Sequence, residues 1–328
     1  MGLEMYRKML RIRRFEERVI RLVNENEIAG VTHEYIGQEA VAVGVCAALN
    51  KDDVITSTHR GHGHIIAKGG HVNRMMAELF ARVTGYNRGR GGSMHIADLS
   101  LGIFGANGIV GAGAPIAMGA AWASQARGQS KIAVCFFGDG AMNQGVLHET
   151  LNMASLWKLP LVFVCENNGY AVTMSIDNAN ANPDFAKRAG SYNIPSETVD
   201  GMNVREVYRA AVQAVRRARA GEGPTFLNCR TYRFQGHHTA EATMGITYRS
   251  QEEIERWKQR DPILSLAKEL ESMGIAGETL RSIEEETMRE IDEAVEYARQ
   301  SPEPNVEESL ELMYATPYPG IPAKGWTE

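Results

Sequence analysis

The sequence predicts an α/β fold, a parallel sheet flanked by helices, with extra helices at the N- and C-terminal ends. Three observations predict it. Two short apolar runs, KIAVCFF (131–137) and LPLVFVCE (159–166), have the length and boundaries of buried strands. Between them, QGVLHETLNMASLW (144–157) carries Val146, Leu147, Leu151, Ala154 and Leu156 at helical spacing. Strand, helix and strand joined by such short links form a βαβ unit, whose two strands run parallel.

The remaining elements follow in order. The first 27 residues read as an amphipathic helix with Leu10, Val19 and Leu22 among its buried positions. GQEAVAVGVCAALN (37–50) reads as a closely packing helix of small residues, and DDVITSTHRGHGH (52–64) as a short strand running into a polar loop. Met75, Met76, Leu79 and Phe80 give 72–82 a helical period. Glycine is dense from Gly85 to Gly113, in RGRGGSMH (88–95) and GANGIVGAGAP (105–115), where backbone can approach a ligand closely. A helix from Pro115 to Ala126 has its proline in the first turn. Beyond the βαβ unit come a helix over 204–220, a strand over 224–230, and a charged helical stretch over 251–301. We read residues 1–328 as a single domain with an irregular tail from about residue 314.

Composition narrows the function classes. A net charge of −5, with no long run of one sign, offers no footprint for nucleic acid or a membrane surface. No stretch reaches the roughly 18–20 apolar residues that span a bilayer. The arginine-rich first segment also carries Glu4, Glu16, Glu17, Glu25 and Glu27, unlike a transit peptide, so the expected location is cytoplasmic. The four cysteines show no metal spacing; Cys135 and Cys165 lie inside strand-like runs and read as reduced core residues.

The chemistry sits where the βαβ strands end. GDGA (138–141) leaves the first strand and ENNGY (166–170) leaves the second, so both lie at the carboxyl edge of neighbouring parallel strands, where open α/β sheets bind ligands. Asp139 offers a carboxylate, Asn168 an amide oxygen and Tyr170 a backbone carbonyl. Such hard oxygen donors suit Mg²⁺ or Ca²⁺ rather than zinc. Mg²⁺ completes its shell with phosphate oxygens and water. Gly138 and Gly140 clear the loop of side chains, and a helix beginning near Asn143 would aim its first amides at an anion. The residues therefore predict a metal-bridged diphosphate.

These segments resemble the diphosphate-binding motif of thiamine diphosphate enzymes. The chain is most similar to the α subunits of the first component of 2-oxo acid and acetoin dehydrogenase complexes. The likeness runs from YIGQEAVAVG (35–44) through HRGHG (59–63), GRGGSMH (89–95) and GANGIVGAG (105–113) to TYRSQEEI (247–254). The resemblance implies the thiamine diphosphate-binding fold, with thiamine diphosphate and Mg²⁺ as cofactors. It implies Asp139, Asn168 and the Tyr170 carbonyl as metal ligands, and backbone contacts from Gly138, Gly140 and Ala141 to the diphosphate. Arg60 and His238 would bind phosphate oxygens, with His237 as the adjacent alternative. His59, where many pyruvate-type members have tyrosine, would face the diphosphate. Gly108 and the Val110 carbonyl would receive the aminopyrimidine ring.

The resemblance also implies partners. No second sheet's worth of strands follows the βαβ core, and the carboxylate that activates the pyrimidine ring would come from a β subunit in an αβ heterotetramer. A dihydrolipoyl acyltransferase with its lipoyl arm would take the acyl group. The substrate is acetoin or a 2-oxo acid such as pyruvate, with a branched-chain 2-oxo acid as the alternative.

Among the histidines, His62, His238 and His237 are the expected catalytic set, since an imidazole can exchange protons near neutral pH. His59, His62 and His64 lack a cysteine or acid at zinc-ligand spacing. GIVGAG (108–113) lacks the following strand and acid of a dinucleotide site. A non-catalytic binding subunit would be expected to lose its metal ligands, and Asp139 and Asn168 are both present. Loops 85–95 and 234–249 are expected to order when diphosphate and metal bind.

Overall fold

A computed structural model of the chain describes residues 1–305; the tail expected from about residue 314 lies outside the described residues. Helix α1 (Gly2–Asn24) leads to α2 (Glu39–Cys46), strand β1 (Val54–Thr56), α3 (His62–Lys68) and α4 (Val72–Leu79). The glycine-rich segment follows, then α5 (Gly113–Ala126), β2 (Ala133–Gly138), α6 (Gly145–Leu156) and β3 (Leu161–Asn167). A small hairpin, β4 (Tyr170–Ala171) with β5 (Met174–Ser175), precedes α7 (Ile176–Ala179), α8 (Phe185–Gly190), β6 (Ser196–Asp200), α9 (Val204–Arg219) and β7 (Thr225–Arg230). Helices α10 (Glu241–Met244), α11 (Gln251–Lys258), α12 (Pro262–Ser272) and α13 (Gly277–Gln300) complete the described chain. No helix among the described residues is long and apolar enough to cross a membrane.

The main sheet has five strands in the order β1-β2-β3-β7-β6. Every neighbouring pair is parallel, including the β2–β3 pair that the βαβ reading requires. The strands are apolar throughout because both faces are covered, as parallel sheets require. The pleat divides them by period two. Ala133, Cys135, Phe137, Leu161, Phe163 and Cys165 pack with Ala117, Ala121, Leu147 and Leu151 of α5 and α6. Val134, Phe136, Val162 and Val164 face the opposite way, into a core shared with α1, α2 and α9. All four cysteines are free and buried.

Two differences from the sequence reading have physical causes. The strand β6 was not expected, because SETVD is a polar edge strand with exposed Ser196 and Thr198 and no apolar alternation. The stretch read as a polar loop through His64 is helical from His62, and both histidines are buried there. Histidine reads as polar in a sequence, but here His62 and His64 each find buried partners.

The glycine-rich loop has an anchor. The buried Glu78 carboxylate, at the end of α4, accepts backbone N–H bonds from Asn87, Gly89, Gly91 and Gly92 at 2.8, 2.9, 2.7 and 3.1 Å. A Cβ at Gly89, which has φ +75°, would lie 2.5 Å from the Ala81 carbonyl carbon, so close approach and backbone conformation both demand glycine. Glu78→Gln keeps the shape but turns an amide NH₂ toward these donors. It is expected to lower the unfolding free energy by about 2 kcal/mol and to open residues 85–92 to limited proteolysis. An unchanged cleavage rate would show that the loop is held by other contacts.

Candidate functional site

The register of β2 on β3 pairs Gly138 with Glu166, which brings the two strand ends and their loops together. Asp139 is buried, and its Oδ2 accepts the Gly169 N–H at 2.8 Å, tying one loop to the other. Burial pushes the Asp139 carboxyl up to about 6, against bonds from the Gly169, Gly140 and Asn168 amides and the charge of Arg233. Gln38, buried at the start of α2, accepts from Asn168 Nδ2 at 3.1 Å and so fixes the amide plane. Asn168 Oδ1 then serves as an acceptor, for the Tyr170 N–H at 3.3 Å.

A cavity of about 390 Å³ opens at these strand ends. Asp139, Asn168 and Tyr170 line it together with Gly138, Gly140 and Ala141. A Cβ at Gly138 would meet no atom within 4 Å and would project into open space. The helix expected near Asn143 starts at Gly145, after a 3₁₀ turn over Asp139–Asn143. The turn backbone, rather than the first amides of α6, therefore lines the cavity. Arg188 and His148 brace the turn through the Met142 carbonyl, at 2.6 and 3.1 Å.

Gly108 and Val110 form part of the cavity wall, with Val110 46% exposed and Ile109 72% exposed at the surface beside it. His59 and Arg60 also line it. The Arg60 guanidinium is buried, with NH1 donating to the Glu34 carbonyl at 2.7 Å and NH2 to the His237 carbonyl at 3.0 Å. Burial, reinforced by the charge of Arg233, holds Arg60 down to about 10.

The histidines divide differently from the sequence expectation. His33, His59 and His237 line the cavity, and one ring nitrogen from each lies within 4.8 Å of the others. Burial first, and then the Arg60 charge, lowers His33 and His59 to about 3 and His237 to about 2. His238, the sequence choice for phosphate contact, is not among the lining residues, and its Nδ1 is buried without a partner. The two adjacent rings meet edge to face, with centroids 5.8 Å apart, and the His238 ring also lies 5.9 Å from that of His33, behind the wall.

His62, expected among the catalytic set, also lies off the cavity wall. It is fully buried, with Nδ1 2.9 Å from Glu16 Oε2 and Nε2 3.0 Å from Ser93 Oγ. Burial opposes its protonation, but Glu16 prevails and raises its pKa. This imidazole positions the glycine-rich loop against α1 and does not touch the cavity.

Several wall groups had no sequence signal. His64 stacks on Phe136 with centroids 4.0 Å apart and bonds Ser57 Oγ at 2.7 Å and Glu166 Oε1 at 3.0 Å. The Tyr35 hydroxyl donates to the same Glu166 oxygen. Ser57, Phe136 and Glu166 line the cavity, as do Gln38 and Arg233. In loop 234–249, Arg249 joins the two ends by donating to the Arg233 and Gln235 carbonyls, each at 2.6 Å, and the Thr239 N–H donates to the Thr32 carbonyl at 3.0 Å.

The donor set fits a diphosphate held through a hard cation. Asp139, Asn168 and Tyr170 line the same cavity as Gly138–Ala141 and the buried cations Arg60 and Arg233, and several buried polar atoms there lack partners. Two guanidiniums beside the imidazole trio make that end anion-seeking.

Sequence comparisons agree with this geometry. A sequence model of the family described as the dehydrogenase E1 component matches residues 7–307. The α subunit of acetoin:2,6-dichlorophenolindophenol oxidoreductase from Bacillus subtilis (strain 168) is 47% identical over 316 residues, covering 96% of this chain and 94% of that protein. The protein of the same description from Cupriavidus necator is 44% identical, with the same coverage. The pyruvate dehydrogenase E1 component subunit alpha of Zymomonas mobilis is 45% identical over 309 residues, covering 93% of this chain and 86% of that protein.

The depressed imidazoles carry a pH signature. Each binds protons more weakly when folded than in the unfolded chain, where a histidine titrates near about 6.5. Their contribution to stability is therefore full above about pH 6.5 and is lost as pH falls toward the folded values. In the cofactor-free protein, NMR of the three rings is expected to show neutral imidazoles from about pH 8 down to 5. A midpoint near 6.5 at His33, His59 and His237 would show that burial does not hold them neutral.

Proposed function

The chain belongs to the dehydrogenase E1 component family, and on that premise we propose that it is the α subunit of a thiamine-diphosphate-dependent E1 component. Its substrate is acetoin or a 2-oxo acid such as pyruvate. The observation that carries this reading is the convergence of Asp139, Asn168 and Tyr170 on one cavity with the Gly138–Ala141 backbone. Thiamine diphosphate supplies, when bound, the carbon nucleophile and electron sink for breaking the bond beside a carbonyl.

Several wall groups have a task in this reading. Asp139, Asn168 and the Tyr170 carbonyl hold Mg²⁺, with Gln38 and Gly169 orienting the two side-chain ligands. The backbone of Gly138, Gly140 and Ala141 and the Arg60 guanidinium hold the diphosphate. Of the two adjacent histidines, His237 takes the phosphate contact, because it lines the cavity beside Arg60. Gly108 and the Val110 carbonyl receive the aminopyrimidine. His33 and His59 stand beside His237 as neutral rings able to accept or donate a hydrogen bond to substrate.

The pyrimidine-side carboxylate comes from a β subunit in this reading, in an αβ heterotetramer. The exposed Phe104, Ile109, Val110 and Ile116 in and beside the cavity-lining segment 107–114 fit a covered interface better than open solvent. A dihydrolipoyl acyltransferase then receives the acyl group on its lipoyl arm, and the assembly is cytoplasmic.

Reconstitution tests the reading. The α chain with its β chain is expected to turn over acetoin or a 2-oxo acid in a substrate panel, while the α chain alone is inactive; full turnover by the α chain alone would refute the split site. Asp139→Ala is expected to remove Mg²⁺-dependent thiamine diphosphate binding while the protein stays folded by circular dichroism. Undiminished cofactor affinity in that variant would refute the metal assignment.

A further inference from the structure

One buried cation has no role in the arrangement described so far. Arg233 follows β7 and is only 1% exposed, among the largest fully buried side chains of the protein. Arg233 is one of the residues that line the cavity. Its NH2 donates to the Val172 carbonyl at 2.9 Å, whereas Nε and NH1 have no hydrogen-bond partner. The charges of Asp139 and Glu241 act on it, but neither carboxylate hydrogen-bonds it among the described residues. An arginine buried with unspent donors is strongly unfavourable unless an anion completes it.

Its surroundings point to the same conclusion. Arg60 is a second buried guanidinium on the same wall, and the two charges disfavour each other. Asp139, Glu241 and Tyr248 are near enough to act on Arg233, but Asp139 faces the same cavity, and Glu241 spends an oxygen on the His237 N–H at 2.7 Å. The carbonyl that orients Arg233 belongs to Val172, a β-branched residue at φ +55° in the turn of the β4–β5 hairpin. That conformation is costly for valine and persists only where its surroundings hold it. The hairpin begins at Tyr170, so the same short segment carries a metal-side carbonyl and the carbonyl that aims Arg233.

We propose that Arg233 is a diphosphate-binding residue, its Nε and NH1 donating to phosphoryl oxygens of a ligand that also engages Arg60. This assignment rests on the diphosphate reading of the cavity. A polyanion fits better than a single carboxylate, because it meets two separated guanidiniums at once and removes their mutual repulsion.

The test uses the α chain purified with its β chain and titrated calorimetrically with Mg²⁺-pyrophosphate and with Mg²⁺-thiamine diphosphate. Arg233→Met is expected to weaken both by roughly 10- to 150-fold, as the loss of hydrogen bonds to a charged group predicts. Without ligand, the same variant is expected to melt at the same temperature as the wild type or higher, because an uncompensated buried charge has gone. A merely structural arginine would show the opposite pattern, a lower melting temperature with unchanged affinity. Arg233→Lys keeps a charge if the methionine variant folds poorly, and is expected to show an intermediate loss. Equal pyrophosphate affinity in wild type and variants would overturn the proposal, and a raised KM for 2-oxo acid alone would reassign Arg233 to the substrate carboxylate. Failure of the wild type to bind either diphosphate would instead sink the reading of the cavity itself, and this proposal with it.

Discussion

The parallel pairing of β2 with β3 is the constraint on which the rest depends. Because the two strands run the same way and pair Gly138 with Glu166, their carboxyl ends leave the sheet side by side. Polar loops at that edge cannot remain unsatisfied, so each loop supplies partners to the other. The Gly169 N–H on Asp139 is the direct link. Gln38 reaches in from α2 to satisfy Asn168. The result is a rigid set of oxygen acceptors whose orientations are already decided by the protein, which is what a site for a hard cation needs.

Around this edge the protein arranges its charges in an asymmetric way. Acidic oxygens gather at the strand ends, and two buried guanidiniums lie on the cavity wall with the neutral imidazoles. Each guanidinium is held through backbone carbonyls, Arg60 by Glu34 and His237 and Arg233 by Val172. Carbonyls orient an arginine without cancelling its charge, so the positive potential remains available to a ligand. Carboxylate partners would have neutralised it.

Behind the wall lies a second layer that positions the first. His62 links Glu16 of α1 to Ser93 of the glycine-rich loop. His64 links Ser57 to Glu166. Glu78 gathers four backbone amides of the same loop. Movement of α1, α3 or α4 would therefore be felt at the cavity, although His62, His64 and Glu78 do not line it.

The sequence by itself determined the βαβ unit, the buried strands and the strand-end position of Asp139 and Asn168, because hydrophobic period and turn residues are local properties. It also identified the glycine-rich backbone around Gly108 and Gly138. The partners of the histidines were decided only in three dimensions. His59 lines the cavity while His62 and His64, three and five positions on, are in the core, because the helix that begins at His62 is enclosed on every side from His62 to Ala67. His237 and not His238 lines the wall, although the two rings touch edge to face, and nothing local in the pair of adjacent histidines distinguishes them. Arg233 lies in no motif, and Gln38 and Glu166, although inside YIGQEAVAVG and ENNGY, have no role that the sequence assigns. Their importance follows from which buried donors and acceptors find a partner, and that is settled only when segments far apart in the chain are packed against one another.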